Sequence, residues 1–292
     1  MPILGVLRAQ TIVALLVPAM LACESGSQGR DGSVQQTQKV SEVSVRLELP
    51  GLGAPALSVL AFRADVSDRY TGDVLGVVDP WAAPAPEGAC ELRDATGHTR
   101  ALRVQGDTIT LEELGGVSVS AEAQGVNLRP APRVYPHYAD VVGGVIAEAG
   151  PVDVSVVPDV LTIEVSGLPE RPARLFWAVP DVPRVLLQDQ TPLAPGASLD
   201  VSGDLVLLLT GHHRVFLEIR PYGAPVAVAC AAGAGGMVVV PHSLLMKMTA
   251  AAGGVPVSFE AVWRENRMVM AATPPTRVSV EARSSVVVDL RP

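Results

Sequence analysis

Strict alternation of apolar and polar residues is the feature of this sequence that most constrains its fold. In residues 41–50, SEVSVRLELP, Val43, Val45 and Leu47 alternate with charged or hydroxyl-bearing neighbours. Because successive side chains of a β-strand point to opposite faces, this pattern predicts a strand with one buried face and one face in water. Similar segments recur through the first half of the chain: LSVLAFRA, ELRDA, ALRVQ, DTITLEEL, VSVSAEAQ and VNLRP. No long stretch there follows the helical period of 3.6 residues, so an antiparallel all-β fold is predicted.

The strand pattern restarts after PRVYPHYADVVGGV, a stretch rich in proline and aromatic residues. The segments that follow include VDVSVVPD, LTIEVSG, RLFWAV, VFLEIRP, VAVACAA, VSFEAVWR and RVSVEA. We therefore place a domain boundary near residues 148–153 and predict two antiparallel β-sandwich modules, residues 41–149 and residues 150–292. The modules are Ig-like in strand number alone, because the Cys, Trp, Cys spacing of immunoglobulin domains is absent.

Local patterns refine the second module. The apolar runs DLVLLLTG and MVVVP are typical of strands covered on both faces. GAGG at 233–236 precedes the second of these runs, which predicts a hairpin turn rather than a phosphate-binding loop. Trp177 and Trp263 are predicted core aromatics. Pro241 at a first helical position predicts one short helix, whose apolar side would be formed by Leu244, Leu245 and Met248.

The amino terminus has the pattern of an export signal. Fourteen residues separate Arg8 from Cys23, too few for a bilayer core that needs about 20. A short apolar segment behind a basic residue instead predicts a cleaved signal peptide, residues 1–22. The sequence ESGSQGRDGSVQQTQKV follows Cys23 and contains almost nothing apolar, so residues 23–40 are predicted to form a flexible tether.

The residues before Cys23, Met20-Leu21-Ala22, resemble the lipobox of bacterial lipoproteins. The resemblance implies that diacylglycerol is attached to the Cys23 sulfur, that the signal is removed, and that the new amino terminus receives a further acyl chain such as palmitate. Met20 departs from the pattern, since the family usually has Leu at this position. Glu24 replaces the aspartate that commonly retains lipoproteins at the inner membrane, so the resemblance favours the outer membrane of the cell envelope. The alternative is an ordinary secretory signal cleaved near Ala22, with a free thiol.

Cys90 and Cys230 are the cysteines that remain once Cys23 is lipidated. Oxidation is permitted outside the cytoplasm, and a disulfide between them would close a loop of well over a hundred residues. The chain-entropy model gives about 4–5 kcal/mol of stabilisation for a loop of that length. The alternative of two buried, unpaired cysteines stays open, because the two residues fall in different predicted modules.

The whole arrangement is similar to a group of uncharacterised lipoproteins, which bacteria with large, high-GC genomes encode in many divergent copies. The similarity covers most of the chain after the signal. It rests on loose patterns: Tyr135-Pro136, Cys230, Gly233–Gly236 and Pro241–Leu245. It implies no activity, since none is known for the group.

Charge and motif content exclude several functions. Residues 1–22 hold one basic residue, Arg8, so 21 of the 22 basic residues remain after cleavage against 30 acidic ones, a formal net charge of −9. Nucleic-acid binding needs clustered Lys and Arg, so no nucleic acid is expected as a partner. Hydrolase, zinc-protease and phosphate-loop motifs are absent, and His212-His213 lacks a third metal ligand nearby. We expect no catalytic residue, no metal site and no cofactor.

Three functions from different classes fit these features. The leading one is a membrane-anchored, non-catalytic envelope or surface lipoprotein, with a structural role or a protein partner that binds exposed strand edges or loops. The second is a lipoprotein that binds carbohydrate or another small ligand, with the candidate contacts Trp81, Tyr135, His137 and Tyr138. The third is an envelope hydrolase, whose site would gather a Ser and an Asp with His137, His212 or His242.

Overall fold

β-Strands contain 65% of the described residues, which confirms the predicted β-rich fold. The computed structural model describes residues 37–51, 53–67, 89–94, 109–138, 142–166, 172–211, 215–252, 255–270 and 274–291. In chain order the strands are β1 (Thr37–Leu49), β2 (Ala56–Ser67), β3 (Cys90–Asp94), β4 (Ile109–Glu113), β5 (Val117–Ala121), β6 (Val126–Leu128), β7 (Ala131–Tyr138), β8 (Val142–Asp153), β9 (Val160–Val165), β10 (Ala173–Ala178), β11 (Val185–Leu187), β12 (Ser198–Asp200), β13 (Leu205–Leu209), β14 (Val215–Pro221), β15 (Val226–Ala231), β16 (Met237–Val240), β17 (Val257–Val269) and β18 (Thr276–Arg291). The α-helix found among these residues is α1 (His242–Ala252). Because β1 begins at Thr37, the end of the predicted tether belongs to the first strand.

Eleven strands form one mixed sheet, called the large sheet below. Its strands lie in the order β3-β15-β14-β17-β18-β1-β2-β4-β8-β7, and β12 pairs with the far end of β18. The first and last strands are parallel neighbours, with Val45 opposite Val280. The other strands form a four-stranded sheet, β10-β9-β5-β6, and a three-stranded sheet, β11-β13-β16, both antiparallel.

The two predicted modules, residues 41–149 and 150–292, share one sheet instead of forming separate sandwiches. The predicted boundary falls inside β8, and strands from both sides of it are neighbours: β1 pairs with β18, β3 with β15, and β5 with β9. The chain from Gln36 to Pro292 forms one compact unit. Alternation along a strand indicates which side chains face a core, but it does not indicate which distant strand lies alongside. The local pattern therefore could not reveal these pairings.

Most buried apolar side chains form one core on a single face of the large sheet. Val43, Val45 and Leu47 of β1 lie there with at most 1% exposure, as their alternation predicted. The two small sheets and α1 cover this face with Leu161, Ile163, Trp177, Leu207, Val238, Leu245 and Met248. Trp177 and Trp263 both belong to this core, which confirms their predicted role. Each fully buried side chain of this size contributes about 1.5–3 kcal/mol to the hydrophobic stabilisation.

β8 contacts three partner strands because glycine lets its backbone approach them closely. It pairs with β2, β4 and β7. Gly144 has a φ of +132°, and a Cβ at this position would lie 2.0 Å from Leu111 O on β4. Only glycine fits here, since it tolerates positive φ and has no Cβ. A second buried cluster lies at this end of the sheet and contains Phe62, Ala64, Val66, Ile109, Leu111, Val142 and Ile146.

Two short elements follow β15. GAGG contains a 3-10 turn, Ala234–Gly236, which leads from the large sheet to β16 in the three-stranded sheet. The predicted hairpin is therefore wrong, because β15 and β16 belong to different sheets. α1 begins directly after Pro241, as predicted. Asp204 Oδ1 accepts a hydrogen bond from the His242 backbone N at 2.8 Å, which satisfies one N–H group at the helix start.

The three-stranded sheet is apolar on both faces, and its outer face stays partly exposed. Leu186, Leu208 and Met237 lie side by side across its three strands, and Val206 lies opposite Val239. Met237 and Val239 are 48% and 43% exposed. The prediction that these apolar runs are covered on both faces is therefore wrong for the outer face.

Candidate functional site

The face of the large sheet opposite the core carries charged side chains that are buried. Glu42 on β1, Glu218 on β14 and Glu281 on β18 are 2%, 1% and 3% exposed. The sequence predicted that the polar positions of β1 face water, which is wrong for Glu42 and Ser44, whereas Arg46 and Glu48 are partly exposed. A charge removed from water is very costly unless it is paired and hydrogen-bonded. The partners of these carboxylates therefore define the candidate site, called the ionic network below.

Glu281 lies at the centre of the ionic network and contacts three arginines. Its Oε1 accepts hydrogen bonds from Arg283 Nε and Nη2 at 3.0 and 2.7 Å and lies 3.2 Å from Arg46 Nε. Its Oε2 accepts hydrogen bonds from Arg264 Nε at 3.0 Å and from Arg264 Nη2. The strand register produces this arrangement, because Glu281 lies directly opposite Arg46 on β1 and Arg264 on β17. Both carboxylate oxygens are thus occupied by guanidinium groups.

Arg283 is the complementary centre and contacts three glutamates. Its Nη2 donates to Glu281, while its Nη1 donates to Glu260 Oε2 and lies 3.3 Å from Glu218 Oε2. Arg220 Nη2 donates to the same Glu218 oxygen. Glu218 Oε1 is buried and has no hydrogen-bond partner within the described part of the chain.

The ionic network continues along β1. Ser279 Oγ donates to Glu42 Oε1 at 2.9 Å, and Arg277 Nε lies 3.9 Å from Glu42 Oε2. At the rim, Glu48 Oε1 lies 3.8 Å from Arg46 Nη1. Within the described ranges, the ion pairs on this face include five arginines and five glutamates: Arg46, Arg220, Arg264, Arg277 and Arg283, and Glu42, Glu48, Glu218, Glu260 and Glu281.

Burial and charge shift the pKa values of the two central carboxyl groups in opposite directions. Burial raises the pKa of Glu218, and attraction to Arg283 and Arg220 only partly offsets this effect. Burial alone would also raise the pKa of Glu281, but Arg283, Arg264 and Arg46 together hold that pKa well below its usual range. Shifted pKa values often mark catalytic groups, although structural ion-pair networks produce them too. The occupied oxygens of Glu281 indicate a structural network.

Sequence reasoning missed the ionic network, although a signal was present. The strands β1, β14, β17 and β18 each carry a glutamate and an arginine two or four positions apart, which places both side chains on the same face of the strand. The segments are EVSVR, EIR, EAVWR and EAR. In-phase opposite charges on neighbouring strands favour cross-strand pairs. That signal becomes informative only when β14, β17, β18 and β1 are known to be neighbours.

Cys90 and Cys230 form a disulfide, and their Cα atoms are 4.0 Å apart. The two residues are direct partners in the antiparallel register of β3 and β15. Cys230 is completely buried, whereas Cys90 is half-buried and its Sγ lies 3.3 Å from Val239 O. The structure thus contains the bridged alternative and not the unpaired one, because both cysteines belong to one sheet.

Of the remaining predicted site residues, Tyr135, His137 and Tyr138 belong to the described ranges. Cys23 and Trp81 lie outside the described ranges. Tyr135, His137 and Tyr138 all belong to β7, and Tyr135 packs against the second buried cluster.

Of the histidines proposed for a hydrolase, His242 has a described side chain. His212 lies outside the described ranges, and His242 Nδ1 lies 2.6 Å from Val201 O. In the described ranges, no three His, Cys, Asp or Glu side chains are placed to hold a metal ion. Across the same ranges, the chain has no helix with both the length and the hydrophobicity of a membrane span.

No protein-family model matches this chain, and neither a curated protein nor a solved structure matches it.

Proposed function

We propose that this chain is a membrane-anchored, non-catalytic lipoprotein of the bacterial cell envelope, which is held by lipid on Cys23 and contacts another envelope component. The amino-terminal sequence carries the proposal. A basic residue, a short apolar segment and Met-Leu-Ala-Cys are followed at once by a polar tether. Two or three acyl chains would hold the protein firmly, because each buried CH₂ contributes about 0.8 kcal/mol. By the lipobox resemblance, the outer membrane is the favoured location.

The Cys90–Cys230 disulfide supports a location outside the cytoplasm. Disulfides persist in the periplasm and at cell surfaces, whereas cytosolic reductants keep most thiols reduced. Both cysteines lie in the β-rich part of the chain. The disulfide therefore supports a location outside the cytoplasm independently of the signal sequence.

The contacts of Glu281 and Arg283 support a structural role for these two groups. A general base or nucleophile must reach the substrate with a free oxygen atom. Glu281 gives both oxygens to arginines, and Arg283 gives its donors to three glutamates. These pairs connect β1, β14, β17 and β18 across the sheet. We therefore assign the ionic network a structural role in the β-rich part of the chain. The function of the protein is then assigned to contacts with a partner.

Metabolic labelling of Cys23→Ser tests the anchor. Wild-type protein and the matched control Ser25→Ala should incorporate radioactive palmitate and enter the detergent phase of a phase partition. Cys23→Ser should remain unlabelled and stay in the aqueous phase. A labelled Cys23→Ser protein would refute the lipid anchor at this residue.

Screening the protein on a glycan array separates the proposed function from the carbohydrate-binding alternative. A non-catalytic protein with a protein partner should give no saturable signal. Saturable binding to one glycan class, weakened by Tyr135→Ala, would replace the proposal with a carbohydrate-binding function.

A further inference from the structure

The disulfide joins a short edge strand to the interior of the large sheet. β3 has β15 as its strand partner, and no other strand pairs with it in the described ranges. Cys90 packs against the main core, whereas Leu92 is 36% exposed. Arg93 Nε and Nη2 each lie 2.9 Å from Glu91 Oε1, so this ion pair lies within β3 itself. A five-residue strand that pairs on one side in the described ranges opens locally more easily than the core of a sheet.

β15 is held much more firmly than β3. It pairs with β14 on its other side, and α1 packs more extensively against it than against β3. Cys230 on β15 is completely buried, while Cys90 on β3 is half-buried. Thiol–disulfide exchange depends on access to the sulfur that is attacked. Cys90 is the less buried residue of the pair, so attack is expected at Cys90 Sγ, with Cys230 Sγ as the departing sulfur.

We propose that the Cys90–Cys230 disulfide is redox-sensitive and holds β3 on the large sheet. A dithiol reductant attacks Cys90 Sγ. Reduction then releases β3, while the rest of the large sheet stays folded. In the first step a thiolate of the reductant bonds to Cys90 Sγ, the protein disulfide breaks, and Cys230 leaves as a thiolate that takes up a proton. In the second step the other thiol of the reductant displaces Cys90. Two electrons pass to the protein, the reductant becomes a disulfide, and Cys90 and Cys230 become thiols. This proposal does not depend on the lipidation of Cys23.

Hydrogen–deuterium exchange of the full chain tests the release of β3. After treatment with a dithiol reductant, amides of residues 90–94 should exchange at least about tenfold faster, because local opening then exposes them. Amides of β14 and β17 should keep their oxidised-state rates. Unchanged protection of β3 would overturn the proposal, and so would a joint loss of protection in β3, β14 and β17. Cys90→Ala should show the fast exchange of β3 without any reductant. If that variant does not fold, the exchange of β3 in reduced wild-type protein tests the release of β3.

A trapping experiment tests the site of attack. A thioredoxin whose resolving cysteine has been replaced by serine performs only the first step, so it remains attached to the sulfur that it attacks. Proteolysis and mass spectrometry of the mixed disulfide should locate the adduct on Cys90. An adduct on Cys230, or no adduct with the folded protein, would overturn the proposed order of attack.

Discussion

Removing the charge of Glu281 is expected to destabilise this protein strongly, whereas removing the charge of Glu218 is not. The two glutamates form a matched pair, since both are buried on the same face of the large sheet and both contact Arg283. Glu281 uses both oxygens to accept hydrogen bonds from arginines, but Glu218 leaves Oε1 without a partner in the described ranges. Glu281→Gln and Glu218→Gln therefore change the same atoms in two different environments.

The structure sets the magnitude of the two effects. In Glu281→Gln the new amide NH₂ group is a donor and must face the donors of Arg264 or those of Arg46 and Arg283. Removing one partner of a buried ion pair costs about 3–5 kcal/mol of unfolding free energy. A domain of this size loses about 2–4 °C of Tm per kcal/mol, so the Tm of Glu281→Gln should fall by roughly 10 °C at neutral pH. Glu218→Gln keeps an oxygen toward Arg283 and removes a buried charge, so its stability should change by less than about 1 kcal/mol.

The pKa shifts give the two variants opposite pH dependences. Because the pKa of Glu281 is lowered, its stabilisation is complete above the unfolded-state value of about 4.3 and is lost as the pH falls toward the folded-state value. The difference between wild type and Glu281→Gln should therefore shrink below about pH 5. The pKa of Glu218 is raised, so its stabilisation is present below about 4.3 and is lost as the pH rises through the folded-state value. Glu218→Gln should accordingly gain stability relative to wild type as the pH rises.

Urea unfolding followed by far-ultraviolet circular dichroism, repeated at several pH values between 7 and 3, measures both variants against wild type. Equal losses of unfolding free energy in Glu281→Gln and Glu218→Gln would refute this reasoning. A loss below about 1 kcal/mol in Glu281→Gln at neutral pH would refute it as well, because a buried ion pair that is broken on one side costs more.

Three further substitutions test other parts of the structure by urea unfolding. Gly144→Ala should cost at least about 1–3 kcal/mol, because its Cβ would lie 2.0 Å from Leu111 O and φ is positive. Leu245→Ala should cost about 2–5 kcal/mol, since this α1 side chain is completely buried in the main core. Ser279→Ala should cost about 1–3 kcal/mol, because the buried carboxylate of Glu42 loses a hydrogen-bond donor.

Exposed counterparts provide the controls for two of these substitutions. Gly115→Ala adds a Cβ with no atom within 4 Å, and Met246→Ala changes an α1 side chain that is 39% exposed. Both controls should stay within about 0.5 kcal/mol of wild type. If Gly144→Ala costs no more than Gly115→Ala, the close approach of β8 to β4 is not required. If Leu245→Ala costs no more than Met246→Ala, α1 does not pack as described.

Local sequence patterns predicted those features that depend on neighbouring residues. The alternation in β1 identified its core-facing side chains, and Pro241 identified the start of α1. The same approach did not identify β7, which lies in the stretch rich in proline and aromatic residues. Pro132 and Pro136 cannot donate to a neighbouring strand, but β7 lies at the edge of the large sheet and has β8 as its partner there. Edge strands tolerate proline, so its presence does not exclude a strand.

Features that depend on distant residues could not be predicted in this way. Glu281 and Arg46 are separated by most of the chain, and they become neighbours only because β1 and β18 are parallel partners. An alternating polar residue has the same local sequence whether its face meets water or a partner of opposite charge. The ionic network and the single-unit architecture therefore both depend on pairings between distant strands, among them the pairing of the first strand with the last.

Expression of residues 150–292 by themselves shows most directly whether the body is one unit. This fragment lacks β1 and β3, so β18 and β15 each lose a partner strand. It also lacks Glu42, Arg46 and Glu48, which removes three members of the ionic network. We predict that residues 37–292 give a cooperative thermal transition and well-dispersed amide resonances, whereas residues 150–292 give neither. A cooperative transition with dispersed resonances in the fragment would contradict the single-unit architecture and restore the two separate modules.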